Sequence, residues 1–194
     1  MKAKASELPI VLFENQQVFE EWLAENHDKS PGVRMQIAKK NSGISSASYA
    51  EALDVALCYG WIDSQKESLD EGSYLQRFTP RGPKSIWSKV NVDKVELLIA
   101  DGRMKPPGLE AIEKAKQNGL WDKAYASQSN ATMPEDLAAA LEQNAKAKAF
   151  YETLNKQNKF AILFRIHNVK KEETRKKKIV QFVEMLEKGE KLIP

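Results

Sequence analysis

Two polar runs, residues 62–69 and 73–79, stand either side of Asp70-Glu71-Gly72. Three residues ending in glycine match a type I turn closed by a left-handed residue, a common loop of antiparallel hairpins. Taken literally, the loop pairs Leu69 with Ser73, Lys66 with Gln76, Gln65 with Arg77, Ser64 with Phe78 and Asp63 with Thr79. Both faces of such a hairpin mix polar and apolar side chains, so neither is a clean core face.

Helical periodicity surrounds the hairpin. Val18, Phe19, Trp22 and Leu23 form one stripe over residues 15–26. After the turn signal Ser30-Pro31-Gly32, Val33, Met35 and Ile37 alternate with Arg34 and Gln36, the pattern of a half-buried strand. Ser48 and Glu51 have capping-box spacing, in which each side chain satisfies the other's free backbone N–H. Tyr49, Ala52, Leu53, Ala56 and Leu57 follow at helical spacing, and Gly60 suits the stop. Asn91 is placed to cap a helix carrying Val95, Leu98 and Ile99, and Pro106-Pro107 opens another that ends near Gly119. From Pro134 onward only helices are expected, over 134–143, 145–154, 157–167 and 171–188. The expected fold is α+β: an antiparallel sheet with flanking helices over 1–125, a linker over 126–131 built on Ser127-Gln128-Ser129-Asn130, and a small all-helical module over 132–194.

At 194 residues, 42% hydrophobic and 29% charged, the chain is globular rather than disordered. No apolar run suits a signal-peptide core or a membrane span. The single cysteine, Cys58, excludes an internal disulfide, so a reduced cytoplasmic setting is expected. The net charge of +3 is unevenly spread. Residues 144–194 carry 13 Lys+Arg against 6 Asp+Glu, a net of +7, much of it in Lys170-Lys171 and Arg175-Lys176-Lys177-Lys178. Such a run can meet phosphates. No aromatic interleaves it, and Glu172 and Glu173 offset it, so specific nucleic-acid binding is not expected.

Catalytic motifs are missing. His27 and His167 lie far apart in sequence, one Cys excludes a zinc cluster of usual spacing, and no P-loop, G-x-S-x-G or G-x-G-x-x-G occurs. No metal or cofactor is therefore expected. What stands out is the segment 61–91. Trp61, Tyr74, Phe78 and Trp87 offer flat contact area, and Lys66, Arg77, Arg81 and Ser88 offer donors to an anion. Pro80 and Pro83 stiffen the loop that carries Arg81. The same features also describe a solvated edge hairpin held by polar cross-strand pairs, with Arg77 paired to Glu67 or Asp63.

The stretches "YAEALDVALCYGWIDSQK", "YLQRFTPRGPKSIWSKVN", "LIADGRMKPPGLEAIEKAKQNGLW" and "KKEETRKKKIVQFVEML" resemble the YdeI/OmpD-associated, or bacteriocin-protection, family over about residues 22–186. The matching positions include Tyr49, Gly60, Trp61, Asp63, Tyr74, Arg77, Arg81, Trp87, Ser88, Asn91, Gly108 and Arg175. The resemblance implies a bacterial protein linked to bacteriocin or envelope stress tolerance. It implies an N-terminal fold like that of YjbR-like and frataxin-like proteins and a small helical module after it. It supplies no catalytic residues, and the acidic ridge through which frataxin-like proteins bind iron has no counterpart in the early part of this chain.

The leading expectation is a non-enzymatic protein that binds a small anionic molecule through Trp61, Asp63, Lys66, Tyr74, Arg77, Arg81, Trp87, Ser88 and Asn91. The alternatives are an enzyme using Asp63 with Arg77 or Arg81, and an interaction module working through the basic last helix. Within the leading expectation, Arg77 and Arg81 converge between Trp61 and Trp87.

Overall fold

The computed structural model describes residues 8–126, 131–169 and 171–193; of the expected linker, residues 127–130 lie outside them. The chain forms two compact units that divide between Ala124 and Tyr125.

The first unit is α+β. Its elements are β1 (Ile10–Leu12), α1 (Gln16–Asn26), β2 (Val33–Ala38), α2 (Tyr49–Cys58), β3 (Trp61–Ser68), β4 (Ser73–Pro80), α3 (Lys89–Ala100) and α4 (Pro106–Gln117). The strands order β1-β2-β4-β3, with β1 parallel to β2 and the other pairs antiparallel. The sheet is therefore mixed, not antiparallel as expected. The difference is the three-residue β1, too short to show alternation, which reaches β2 in parallel through α1.

Local sequence explains most boundaries. Asn15 caps α1 by accepting from the Val18 N–H at 3.1 Å. The capping box of α2 forms with both bonds in place, Glu51 N–H to Ser48 Oγ and Ser48 N–H to Glu51 Oε2. Ser48 lowers the Glu51 carboxyl below the usual carboxylate range by these hydrogen bonds. Helix α3 begins earlier than expected. Its cap is Ser88, whose Oγ accepts from the Asn91 N–H, so Asn91 lies inside the helix and is buried there.

The hairpin departs from its expected register halfway along. Lys66 pairs with Gln76 and Ser68 with Tyr74, as the short loop requires. Beyond a bulge between Asp63 and Lys66 the pairing slips, so Asp63 faces Phe78 and Ile62 faces Thr79. The side chain of Gln76, only 4% exposed, donates from Nε2 to the carbonyls of Ser64 and Gln65 at 3.3 Å, satisfying the bulge. The turn also differs, because Gly72 does not take the left-handed conformation. Asp70 shapes it instead, accepting from the N–H groups of Gly72 (2.8 Å) and Ser73 (2.6 Å) and from the Ser73 hydroxyl. These bonds, the Ser73 hydroxyl's foremost, hold the Asp70 carboxyl below its ordinary range.

Val33, Met35 and Ile37 of β2 face the helices and join Phe19, Leu23, Leu53, Leu57 and Phe78 in one core, with Trp22 packed against it. An aromatic chain threads this core: Phe13, Phe19, Trp22 and Trp61 approach one another at ring-centroid distances of 4.8–6.3 Å. Trp61 and Trp87 are buried within it, 1% and 2% exposed.

The second unit contains α5 (Glu135–Glu142), α6 (Ala145–Thr153), α7 (Lys156–His167) and α8 (Glu172–Glu187), with a separate core around Leu137, Leu141, Ile162, Ile166, Phe182 and Leu186. Arg175 of α8 grips Asp136 of α5 with two nitrogens, Nε at 2.6 Å and Nη2 at 2.9 Å, and donates a third bond to the Ile166 carbonyl. Buried Asn158 exchanges two hydrogen bonds with the backbone of Ile193, pinning the C-terminal segment onto α7.

Two outcomes follow. Leu57 is 1% exposed in the first core, so Leu57→Ala should cost about 2–5 kcal/mol in a urea-denaturation experiment. In the second unit, the hydrogen bonds from Arg175 hold the Asp136 carboxyl below its ordinary value. A depressed carboxylate pKa contributes stability above its unfolded value of about 3.9, and the contribution is lost as pH falls through the folded pKa. Asp136→Asn should therefore lower the melting temperature at pH 7, and the gap from the wild type should close as the pH is brought below about 4.

Candidate functional site

The site begins where α2 ends. Gly60 takes a φ of +71°, and a Cβ there would stand 2.8 Å from the Pro107 carbonyl oxygen. Gly108, in the first turn of α4, lies so close to the Cys58 carbonyl that any side chain would clash with it. These two glycines let α4 lie directly against the end of α2, and the Lys105 N–H donates to the Cys58 carbonyl at the same junction. The Arg81 N–H donates to the Gly60 carbonyl at 2.9 Å, so the loop after β4 is tied to this junction too. Within that loop Ser85 Oγ accepts from the Gly82 N–H at 3.0 Å. Asn118, at the end of α4, donates from Nδ2 to the Pro83 carbonyl at 3.2 Å and straps the loop down.

Between these pieces lies a cavity of about 530 Å³. Its walls are the end of α1 (His27, Asp28), the Tyr59–Trp61 turn, the Arg81 loop and one face of α4 (Pro107, Ala111, Lys114). The guanidinium of Arg81 lies over the Trp87 ring, 3.5 Å from its centroid, and its Nη1 donates to the Ile86 carbonyl. Trp121 supports Trp87 edge-on at 5.0 Å. Trp61 donates from Nε1 to the His27 carbonyl at 3.1 Å, which fixes the end of α1 on the cavity wall. The His27 and Tyr59 rings meet at 5.6 Å, and burial raises the Tyr59 hydroxyl above its ordinary pKa. Lys114 and Glu110 pair at 2.6 Å on α4.

Of the nine residues expected at a site, Trp61, Arg81 and Trp87 line this cavity. Neither indole offers open flat area, because both are core residues that present only a small part of their surface to the cavity. Arg77 is elsewhere. It stands opposite Arg34 across β2 and β4, on the sheet face turned away from Phe78. Its Nε is buried without a hydrogen-bond partner among the described residues. The expected convergence of Arg77 and Arg81 does not occur, because the chain leaves the strand at Pro80. The alternative pairing of Arg77 also fails: Glu67 lies 3.7 Å from Arg34, and Asp63 accepts from the Tyr49 hydroxyl at 2.8 Å. Asp63 shares the core-facing side with Phe78, so it cannot work beside Arg77. Lys66 lies over the Tyr74 ring at 3.8 Å, and Ser88 and Asn91 serve the start of α3.

His27, Asp28, Tyr59, Ser85, Lys114 and Asn118 complete the cavity without having been foreseen. Tyr59 sits beside Gly60 in a stretch already marked, but nothing local in α1 or α4 announces a wall. Among the described residues no three His, Cys, Asp or Glu side chains gather where they could hold a metal ion. Burial pushes the Cys58 thiol up to about 11, so it carries no thiolate near neutrality. In the second unit Lys176 and Lys177 are each paired one turn away with Glu172 and Glu173, at 2.8 and 2.7 Å, and Arg175 is taken by Asp136.

Fold and cavity together define a two-unit α+β protein with a pocket in its first unit, at the edge of the core that holds Trp61 and Trp87. Residues 11–111 match the family model described as Domain of unknown function (DUF8412), more than half of the chain, and the protein belongs to that family. Residues 130–189 match the model described as Bacteriocin-protection, YdeI or OmpD-Associated, the family that the sequence stretches resemble. The first three of those stretches lie in or beside the DUF8412 match, and the fourth lies inside the second match. No curated protein and no solved structure matches the chain.

The Gly108 contact makes a sharp test of this architecture. Alanine favours a helix over glycine by about 1 kcal/mol, yet Gly108→Ala should destabilise by about 1–3 kcal/mol, since the added methyl must push α4 off α2. Urea denaturation decides it, and a stabilised variant would show that the two helices are not packed this closely.

Proposed function

We propose that the first unit is a small-molecule binding module whose cavity takes a carboxylate or phosphate group at Arg81. The observation that carries this reading is the Arg81 guanidinium held face-on over buried Trp87 in the wall of a concave cavity. A volume of about 530 Å³ falls within the range of about 300–1,000 Å³ usual for ligand pockets. Stacking engages the face of a guanidinium, whereas a carboxylate or phosphate is taken along its edge, so the two contacts do not compete. Pro80, Pro83 and the Asn118 strap hold the loop that carries Arg81 and keep the entropic cost of capture low. Indole and proline surfaces exclude water around the cation, which strengthens its attraction for an anion.

In this reading the protein works as a non-enzymatic binder in the bacterial cytoplasm, and its role in bacteriocin or envelope stress tolerance is proposed from the description of the family matched by residues 130–189. A likeness of the first unit to YjbR-like and frataxin-like folds, and a helical module working alongside it, belong to the same proposal.

Thermal-shift measurements on the wild type and Arg81→Ala test it, with inorganic phosphate, short carboxylic acids and nucleotides as probes. At least one anion should raise the melting temperature of the wild type by several degrees and leave that of the variant unchanged. If no anion shifts the wild type, the cavity is not an anion site.

A further inference from the structure

We propose that the second unit carries a binding site of its own, a cavity between α6 and α7 that takes a small organic acid, its carboxylate at Lys156, Lys159 and Tyr151 and its apolar body against Met133, Phe160 and Leu163. This site shares no residue with the cavity at Arg81. Its volume is about 340 Å³, inside the range of about 300–1,000 Å³ usual for ligand pockets. Tyr151 and Leu163 belong to the core of the second unit, so the apolar lining is continuous with that core. Phe160 is backed by Phe164 and Tyr125, with ring centroids 5.8 and 6.5 Å away. Met133, just ahead of α5, lines the cavity too and is left 39% exposed.

Tyr151 points to the acid group. The residue is only 7% exposed, yet its hydroxyl makes no hydrogen bond among the described residues. A buried phenol normally finds a partner. The hydroxyl is not sealed off, and the cavity is where a partner can reach it. Burial raises its pKa above the ordinary value, so near neutrality it keeps its proton and can donate. Two cations share the lining. Lys156 and Lys159 stand three residues apart at the start of α7, on one face of the helix. The Lys159 ammonium lies 5.5 Å from the Tyr151 ring centroid. It gives one hydrogen bond, to the Glu152 carbonyl at 3.0 Å, and an ammonium has further N–H groups to offer. Among the described residues neither lysine has an ion pair, whereas Lys148, Lys176 and Lys177 of the same unit each pair with a glutamate at 2.6–2.8 Å. The first turn of α7 holds no acidic residue either, although a helix start favours one. The result is a group of donors with no anion of its own beside an apolar wall. An inorganic anion would leave the wall unused, and a hydrocarbon would leave the donors unmet. An organic acid engages both.

The experiment is calorimetric titration of the full chain with three probes: octanoate, which carries both parts, 1-octanol, which lacks the charge, and acetate, which lacks the apolar body. Octanoate should bind about tenfold more tightly than 1-octanol, and acetate should give no measurable heat. Neither lysine is buried, so the double variant Lys156→Gln, Lys159→Gln should fold normally and bind octanoate no better than 1-octanol. Tyr151→Phe keeps the ring in the core and breaks no hydrogen bond among the described residues. It should melt no lower than the wild type and bind octanoate about fivefold more weakly; a hydroxyl served only by water would leave the affinity unchanged. In Arg81→Ala the octanoate affinity should be that of the wild type. Equal binding of octanoate and 1-octanol, a preference that survives in the double lysine variant, or an unchanged affinity in Tyr151→Phe overturns the inference. So does an absence of octanoate binding. Loss of octanoate binding in Arg81→Ala assigns the acid to the first cavity, which overturns this site and leaves the anion reading of Arg81 standing.

Discussion

Burial of the Trp61 indole is the constraint on which the first unit depends. The residue opens β3, meets Trp22 edge-on at 5.8 Å and reaches back with Nε1 to the carbonyl of His27. An indole buried to 1% exposure must satisfy its one N–H, and the acceptor it meets is the His27 carbonyl at the end of α1. That single bond sets where α1 stops relative to the sheet. With α1 placed, the junction of α2, Gly60 and α4 closes around the same corner, and the cavity is the space left between them. The large aromatics in the polar segment are there chiefly to build the core, and the site is formed at the edge of that core.

The polar side chains of the hairpin have a similar double reading. Gln76 is buried because the bulge leaves the carbonyls of Ser64 and Gln65 outside the regular ladder, and its amide supplies the missing donors. Asp70 is in the turn because it accepts the N–H groups that the chain reversal frees. Much of the polarity that reads as a binding surface is thus consumed in satisfying backbone. Arg81 differs because its loop carries it out of the strand and onto the Trp87 face, at the margin of a concave space.

The second unit shows how little a run of like charges implies by itself. Helix α8 begins with Glu172 and Glu173, which favour its positive N-terminus and then neutralise Lys176 and Lys177 a turn later. Arg175, in the middle of the basic cluster, is a structural clamp. Its fork fits the Asp136 carboxylate, and its third bond goes to the Ile166 carbonyl in the last turn of α7.

What the sequence determined by itself was whatever depends on near neighbours in the chain. The cap at Asn15, the capping box at Ser48 and Glu51, the alternation of Val33, Met35 and Ile37, and the register of Lys66 with Gln76 are all set within a few residues. The stiff loop holding Arg81 near Trp87 was legible for the same reason, since Pro80, Arg81, Pro83 and Trp87 are close in sequence, whereas the burial of Trp87 was not. The tertiary structure alone decided which of the marked residues meet. A bulge that shifts pairing by one residue sends Asp63 opposite Phe78, and strand alternation sends Arg77 to the other face. It also recruited His27, Asp28, Lys114 and Asn118, which lie tens of residues from Arg81 and reach it because Gly60 and Gly108 let backbones approach more closely than side chains would allow. Local bonds are written in local sequence, whereas a cavity is fixed by how closely distant segments can pack.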